Sequence, residues 1–351
     1  MLRFDKSKIS WEDVMKFWQL EAPGEMSLKE QEPSVLKENF IKVKIEKVLL
    51  SMSDLEIYNG NAKCNYPIVL GRNAVGVISE VNSKSALFQK MDRVAIEPYI
   101  PCTTCKECAQ GDYDKCANLL FMGQNCNGLV QNFVDVGIDQ VHRLPDNMSN
   151  EQALFVSYVG FGLNIVDSLN MEKGEHIAIF ASTKTGIILA QLVAYYQSVP
   201  ILISDNEELL ENARKLGVFY CVNTEKVDVE KEVLMITGGR LCRELVLFAD
   251  SEFSFKDVYN AAAMNASICL AGISSKESRL TIAQICQKHL NIFGVYNGVG
   301  NFSSAINLLV TDKVDVSNLV GEEIAFADLD KEMKKLQPED LALKSKIVNV
   351  D

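Results

Sequence analysis

The chain has no block of basic residues, no apolar run long enough to cross a bilayer, no internal repeat and no low-complexity tract. With 47 acidic against 35 basic residues, its net charge of −12 repels a phosphate backbone, so no nucleic-acid partner is expected. The start of the chain carries Arg3, Asp5, Lys6 and Lys8 where a secretion signal would carry its apolar core. No membrane partner is therefore expected, and the location reads as cytoplasmic. Histidine is scarce as well: His142, His176 and His289 are the whole supply, and none falls in the metal-ligand segments discussed below. What is present is 351 residues, too many for one ordinary core, of which 48% are hydrophobic, enough for two domains with a cleft between them. Clefts between domains are common sites for a small-molecule substrate.

Four of the ten cysteines stand in one stretch, Cys102-Thr103-Thr104-Cys105-Lys106-Glu107-Cys108, with Cys116 following after Asp112-Tyr113-Asp114-Lys115. Short loops between the first three allow all four sulfurs to converge on one tetrahedral ion. Four sulfurs also fill the shell and leave no position open for water or substrate, so the spacing predicts one structural zinc per chain. The competing reading, a chance cluster of free thiols, fits poorly with a polar loop, because isolated core cysteines usually sit in apolar strands. The other six, Cys64, Cys126, Cys221, Cys242, Cys269 and Cys286, are scattered singly and read mostly as core thiols.

The run Asp92-Arg93-Val94-Ala95, then Glu97-Pro98, the four cysteines, and Asn127-Gly128-Leu129-Val130-Gln131-Asn132-Phe133 together resemble the zinc-containing medium-chain alcohol dehydrogenase superfamily, which includes sorbitol and threonine dehydrogenases. The resemblance extends from about Met15 to the end. It implies an α/β protein: a GroES-like β-barrel catalytic domain over 1–150 and 296–351, and a Rossmann doubly wound parallel-sheet domain over 151–295. It also implies a homodimer or homotetramer, assembled through the sheet edge near Asn291 to Tyr296.

Against that family the catalytic zinc ligands are replaced. Leu49 to Gly60 matches the place where the family writes Cys-x-Ser/Thr-Asp, and Ser51 stands for the cysteine; a hydroxyl does not bind zinc as a thiolate does. Tyr66 to Ile78 matches the Gly-His-Glu segment, with Arg72 in the histidine slot and Asn73 in the glutamate slot. Arginine has no lone pair for a metal. A unit charge about 4 Å from a divalent ion costs on the order of 8 kcal/mol at an effective dielectric near 20. Near the domain boundary Val156 occupies a last ligand slot, beside Ser157 and Tyr158. No catalytic zinc is expected.

The strand His176 to Phe180, the loop Ala181-Ser182-Thr183-Lys184-Thr185-Gly186 and the helical run Ile187 to Tyr196 form the opening unit of a Rossmann domain. The loop keeps Ala181 and Gly186, but Thr183 stands where the family writes glycine. Two readings follow: Thr183 and Lys184 obstruct a dinucleotide, or, with Thr185, their hydroxyls and ammonium contact its phosphates at the helix N-terminus. Asp205, nineteen residues beyond Gly186, favours binding, because its carboxylate suits ribose hydroxyls and repels a 2′-phosphate. NAD(H) is thus expected over NADP; the alternative is an Asp that merely caps the next helix.

Ser53 matches the family's hydroxyl proton relay and Asp54 the acid that braces the ligand histidine. With Arg72 in that slot, an Asp54 to Arg72 salt bridge is expected. Arg72, Ser51 and Tyr58 would then bind a substrate oxygen or carboxylate in place of the metal, or simply fill the volume the metal vacated. Three functions remain in order: a metal-independent NAD(H)-linked oxidoreductase acting on a small carbonyl, alcohol or activated alkene; a dehydrogenase-like binding or regulatory protein without turnover; and a conventional zinc alcohol dehydrogenase.

Overall fold

The computed structural model describes residues 14–84, 86–249, 251, 253, 255–273 and 280–350. The charged N-terminal arm, with Phe4 and Trp11, lies outside them. Two compact units are present. The first takes the described part of Met1–Asp146 with Glu322–Gln337 and Lys346–Asp351, and the second takes Asn147–Gly321 with Pro338–Ser345.

In the first unit, β1 (Met15–Ala22) and β2 (Glu25–Gln31) form a hairpin. The alternation of Phe40 to Val48 becomes β3 (Phe40–Leu50), with Ile41, Val43, Ile45 and Val48 fully buried. The next elements are α1 (Met52–Tyr58), β4 (Ile68–Val69), β5 (Asn73–Asn82), β6 (Arg93–Ile96), β7 (Tyr99–Ile100), α2 (Lys106–Gln110), β8 (Leu120–Phe121), β9 (Phe133–Gly137) and β10 (Val141–Arg143). A seven-stranded sheet runs β10-β6-β5-β3 and then to the late strands Ser345–Asn349 and Val320–Ala325, with β9 also on β3. Val348 pairs with Val48, so the C-terminal strand Ser345–Asn349 runs antiparallel beside β3. Lys42 is buried although charged, because Asp135 sits opposite it on β9 with an oxygen 2.6 Å from its Nζ.

The second unit begins with α3 (Asn150–Ala153) and α4 (Val156–Ser168) and continues β11 (His176–Phe180), α5 (Lys184–Tyr195), β12 (Val199–Ser204), α6 (Glu207–Lys215), β13 (Tyr220–Asn223), α7 (Val229–Ile236), β14 (Cys242–Phe248), α8 (Phe255–Ala261), β15 (Ala262–Ala271), α9 (Ile282–Lys288), β16 (Asn291–Val295) and α10 (Phe302–Val310). Its six strands are parallel in the order β13-β12-β11-β14-β15-β16. Numbered within the unit, that is 3-2-1-4-5-6, the order whose switch point opens a crevice beyond the carboxyl ends of β11 and β14. The apolar runs of β11, β12 and β14 fit a sheet covered on both faces.

Two expectations change here. The helix α10 was expected in the first domain, but its apolar face, with Phe302, Ala305, Leu308 and Leu309 buried, packs on α3 and α4 and joins the second unit. Of the six single cysteines only Cys242 and Cys269 are buried; Cys64, Cys126 and Cys221 are partly exposed and Cys286 is exposed. No helix among the described residues is long and apolar enough to cross a membrane.

Candidate active site and metal centre

The four-cysteine lobe is built on tight turns. Thr103 takes a left-handed φ of 59°, and Cys105 then serves as the N-cap of α2, its sulfur accepting from the Cys108 N–H at 3.5 Å. Gly111 ends α2 at φ 86°, a conformation that needs no Cβ. All four sulfurs lie within 4.8 Å of one another, with Cys102 to Cys108 and Cys105 to Cys116 both at 4.0 Å. Four ligands about 2.3 Å from a zinc ion stand about 3.8 Å apart, so the cluster fits that ion. The Cys102 N–H points at the Cys116 sulfur at 3.3 Å and the Thr104 hydroxyl at the Cys102 sulfur at 3.6 Å, donors that suit thiolates.

The Ser51 to Arg72 region is organised by the start of α1. Ser51 is its N-cap, and Ser51 and Asp54 form a capping box. Asp54 is fully buried and accepts three hydrogen bonds: from the Ser51 N–H at 2.8 Å, from the Ser51 hydroxyl, and from the Gly71 N–H at 2.9 Å. Since Ser51 gives its only hydroxyl proton to Asp54, the 3.0 Å contact between Ser51 Oγ and Ser53 Oγ is donated by Ser53. The chain of hydroxyls thus runs Ser53 to Ser51 to Asp54.

Arg72 is placed by the backbone beside it. Gly71 has φ 88°, and the N–H groups of Gly128, Leu129 and Val130 donate to the carbonyls of Val69, Gly71 and Leu70 respectively, at 2.7 to 3.0 Å. A Cβ on Gly128 would lie 2.3 Å from the Gly71 oxygen, so this approach requires glycine. The expected Asp54 to Arg72 salt bridge is absent. Asp54 spends both oxygens on Ser51 and Gly71, and the Nε and Nη2 of Arg72 are buried without any hydrogen-bond partner. Asn73 is buried on β5. Tyr58 is not part of this group: its hydroxyl donates to the Gly24 carbonyl at 3.3 Å, and burial together with nearby Asp330 pushes its pKa up.

In the second unit, Ala181 to Gly186 links β11 to α5, with Thr183 as the N-cap residue. Gly186 meets β11 closely, since a Cβ there would lie 2.4 Å from the Ala181 Cβ. Thr183 donates to the Thr185 hydroxyl at 3.2 Å. Lys184 does not stand at the helix N-terminus facing outward, as a phosphate contact would require. It is buried, its ammonium donates to the Leu341 carbonyl, and it lies 5.7 Å from the centre of the Tyr158 ring. Asp205 directly follows β12 and accepts from the Ser182 hydroxyl at 3.0 Å. It is not the cap of α6; Asn206 is, accepting from the Leu209 N–H at 3.1 Å.

Residues 37–146 match the family of alcohol dehydrogenase GroES-like domains, and residues 185–311 match that of zinc-binding dehydrogenases. The chain belongs to the zinc-containing medium-chain alcohol dehydrogenase superfamily. An uncharacterized zinc-type alcohol dehydrogenase-like protein of Haemophilus influenzae is 28% identical over 312 residues, which are 88% of this chain and 91% of that one. Sorbitol dehydrogenase of Bacillus subtilis is 25% identical over 302 residues, 84% of this chain and 86% of its own. Among solved structures, an alcohol dehydrogenase of Escherichia coli complexed with the cofactor NADH superposes with a TM-score of 0.85 at 20% identity, covering 96% of this chain and 100% of that one.

Two parts of this superfamily member's site escaped the sequence reading. The capping box was legible as Ser-x-x-Asp ahead of an apolar turn, a signal that already committed Asp54 to backbone and hydroxyl rather than to Arg72. Leu341, which takes up the Lys184 ammonium, left no signal, because a carbonyl acceptor is common to every residue.

Proposed function

We propose that this chain is a NAD(H)-linked oxidoreductase acting on a small carbonyl, alcohol or activated alkene, with zinc confined to the four-cysteine lobe. The observation that carries the reading is Arg72, which stands in the slot of a zinc-ligating histidine with two buried, unpartnered N–H groups. It has no lone pair for a metal, and Ser51, in the cysteine slot, gives its proton to Asp54. The donor set is one that attracts electron-rich oxygen rather than a cation.

Bound NAD(H) would supply or accept the hydride. The turn from Ala181 to Gly186 and the N-terminus of α5 suit its pyrophosphate, and Asp205, spared from capping, suits the ribose hydroxyls while disfavouring a 2′-phosphate. In alcohol oxidation the substrate hydroxyl proton passes to Ser53 Oγ, the Ser53 proton to Ser51 Oγ, and the Ser51 proton to Asp54 Oδ2. Carbonyl reduction runs the same chain backward. Assembly as a homodimer or homotetramer through the free edge at β16 belongs to the same reading.

A second reading, a dehydrogenase-like binding protein without turnover, is favoured by Thr183 in a glycine position and by the inward-turned Lys184. Metal analysis with nucleotide titration separates them. One zinc per chain with NADH bound more tightly than NADPH is the expected outcome. One zinc with no nucleotide affinity leaves the binding protein, and two zincs restore a conventional zinc alcohol dehydrogenase.

A further inference from the structure

The two unpartnered nitrogens of Arg72 are not an arbitrary pair. Nε–H and the neighbouring N–H of Nη2 leave one edge of the planar guanidinium in parallel, the fork that meets both oxygens of a planar oxyanion at once. A cationic fork left unpaired out of contact with water is unfavourable, and Asp54, which holds the N–H of the residue before Arg72, gives both its oxygens to Ser51 and Gly71. We propose that the Nε and Nη2 edge of Arg72 is a binding site for a substrate carboxylate, so that the substrate is a small carboxylic acid.

The charge count selects carboxylate over phosphate. Asp54 is an anion whose Oδ1 holds the N–H of Gly71, the residue before Arg72. A single negative charge added beside Arg72 and Asp54 leaves one uncompensated charge, whereas a phosphate dianion leaves two. The hydroxyls of Ser51 and Ser53 already donate within their own chain, so they supply no further donors for a third phosphate oxygen. This inference rests on the oxidoreductase reading for the word substrate, but the fork itself binds or fails to bind with or without the dinucleotide.

Acetate and its neutral isostere acetamide are the smallest probes of the fork. Melting of the zinc-loaded full chain is followed as each is added at constant ionic strength, with and without NADH. Acetate raises the melting temperature and acetamide does not. In Arg72→Lys, which keeps the charge and loses the fork, acetate binds about tenfold more weakly or worse. Equal responses to acetate and acetamide, no acetate response in either arm, or an unchanged acetate affinity in Arg72→Lys would overturn the site. Inorganic phosphate displacing acetate with higher affinity overturns the carboxylate assignment. Should Arg72→Lys fail to fold, the wild-type comparison of acetate with acetamide decides alone. An acetate response without NADH binding supports the fork and sinks the oxidoreductase reading.

Discussion

Among the described residues, Arg72 shares its predicament with a charged residue of the second unit. Glu244 is buried on β14 opposite Ser267 of β15, and its Oε2 has no partner. Burial pushes its pKa up from 4.5 to about 7, with Glu175 adding to the rise and the Asn170 N–H opposing it. The folded value lies above the ordinary one, so the carboxyl's contribution to stability is complete below pH 4.5 and is lost as pH climbs through 7. Glu244→Gln cannot ionise, so its unfolding free energy gains on the wild type by about 2 kcal/mol between pH 4.5 and pH 8. Urea unfolding across that range checks it, and parallel pH profiles for the two proteins would refute the burial account. The residue scale also shows how a slot reading can mislead: Asp54 was expected to seek the nearest new charge, but Ser51 and Gly71 offered donors fixed by the helix start and the turn.

Among elements, the junction of β11 and α5 is the most constrained. Gly186 sits where a Cβ would be 2.4 Å from the Ala181 Cβ and 3.1 Å from Leu202 Cδ1, and the Ala181 atom is fixed to the backbone and cannot rotate away. Gly186→Ala should therefore cost about 1 to 3 kcal/mol by overpacking, read as a lower denaturation midpoint with an unchanged denaturant slope. An unaltered midpoint would show that the helix has room and that the glycine is not held by packing. The apolar run His176 to Phe180 and the apolar stretch after the loop located β11 and most of α5. The start of β15 is set by pairing of Ala262 with Cys242, across an irregularity in register that composition does not reveal.

For the whole molecule, the division into two units makes metal loss a local event. Trp18, the one tryptophan among the described residues, is buried in the first unit with its indole N–H on the Phe326 carbonyl at 2.7 Å. The four-cysteine lobe belongs to that same unit. A strong zinc chelator should lower the thermal midpoint followed by tryptophan fluorescence by more than the midpoint followed by far-UV circular dichroism, which also reads the second unit's helices and parallel sheet. Equal shifts would mean that the lobe's metal stabilises both units alike.

The sequence by itself determined the fold class, the four-cysteine cluster and the presence of a hydroxyl at Ser51 and a guanidinium at Arg72, because these depend on residue type and spacing along the chain. Tertiary structure decided which partner each of those side chains takes. Asp54 turned to Gly71 and Ser51, Lys184 to the carbonyl of Leu341, Tyr58 to that of Gly24, and Arg72 was left with a buried edge that has no hydrogen-bond partner. Hydrogen bonds are settled by distance and direction in space, and carbonyl and amide groups from distant residues compete for every donor, so no pattern in one dimension fixes the winner.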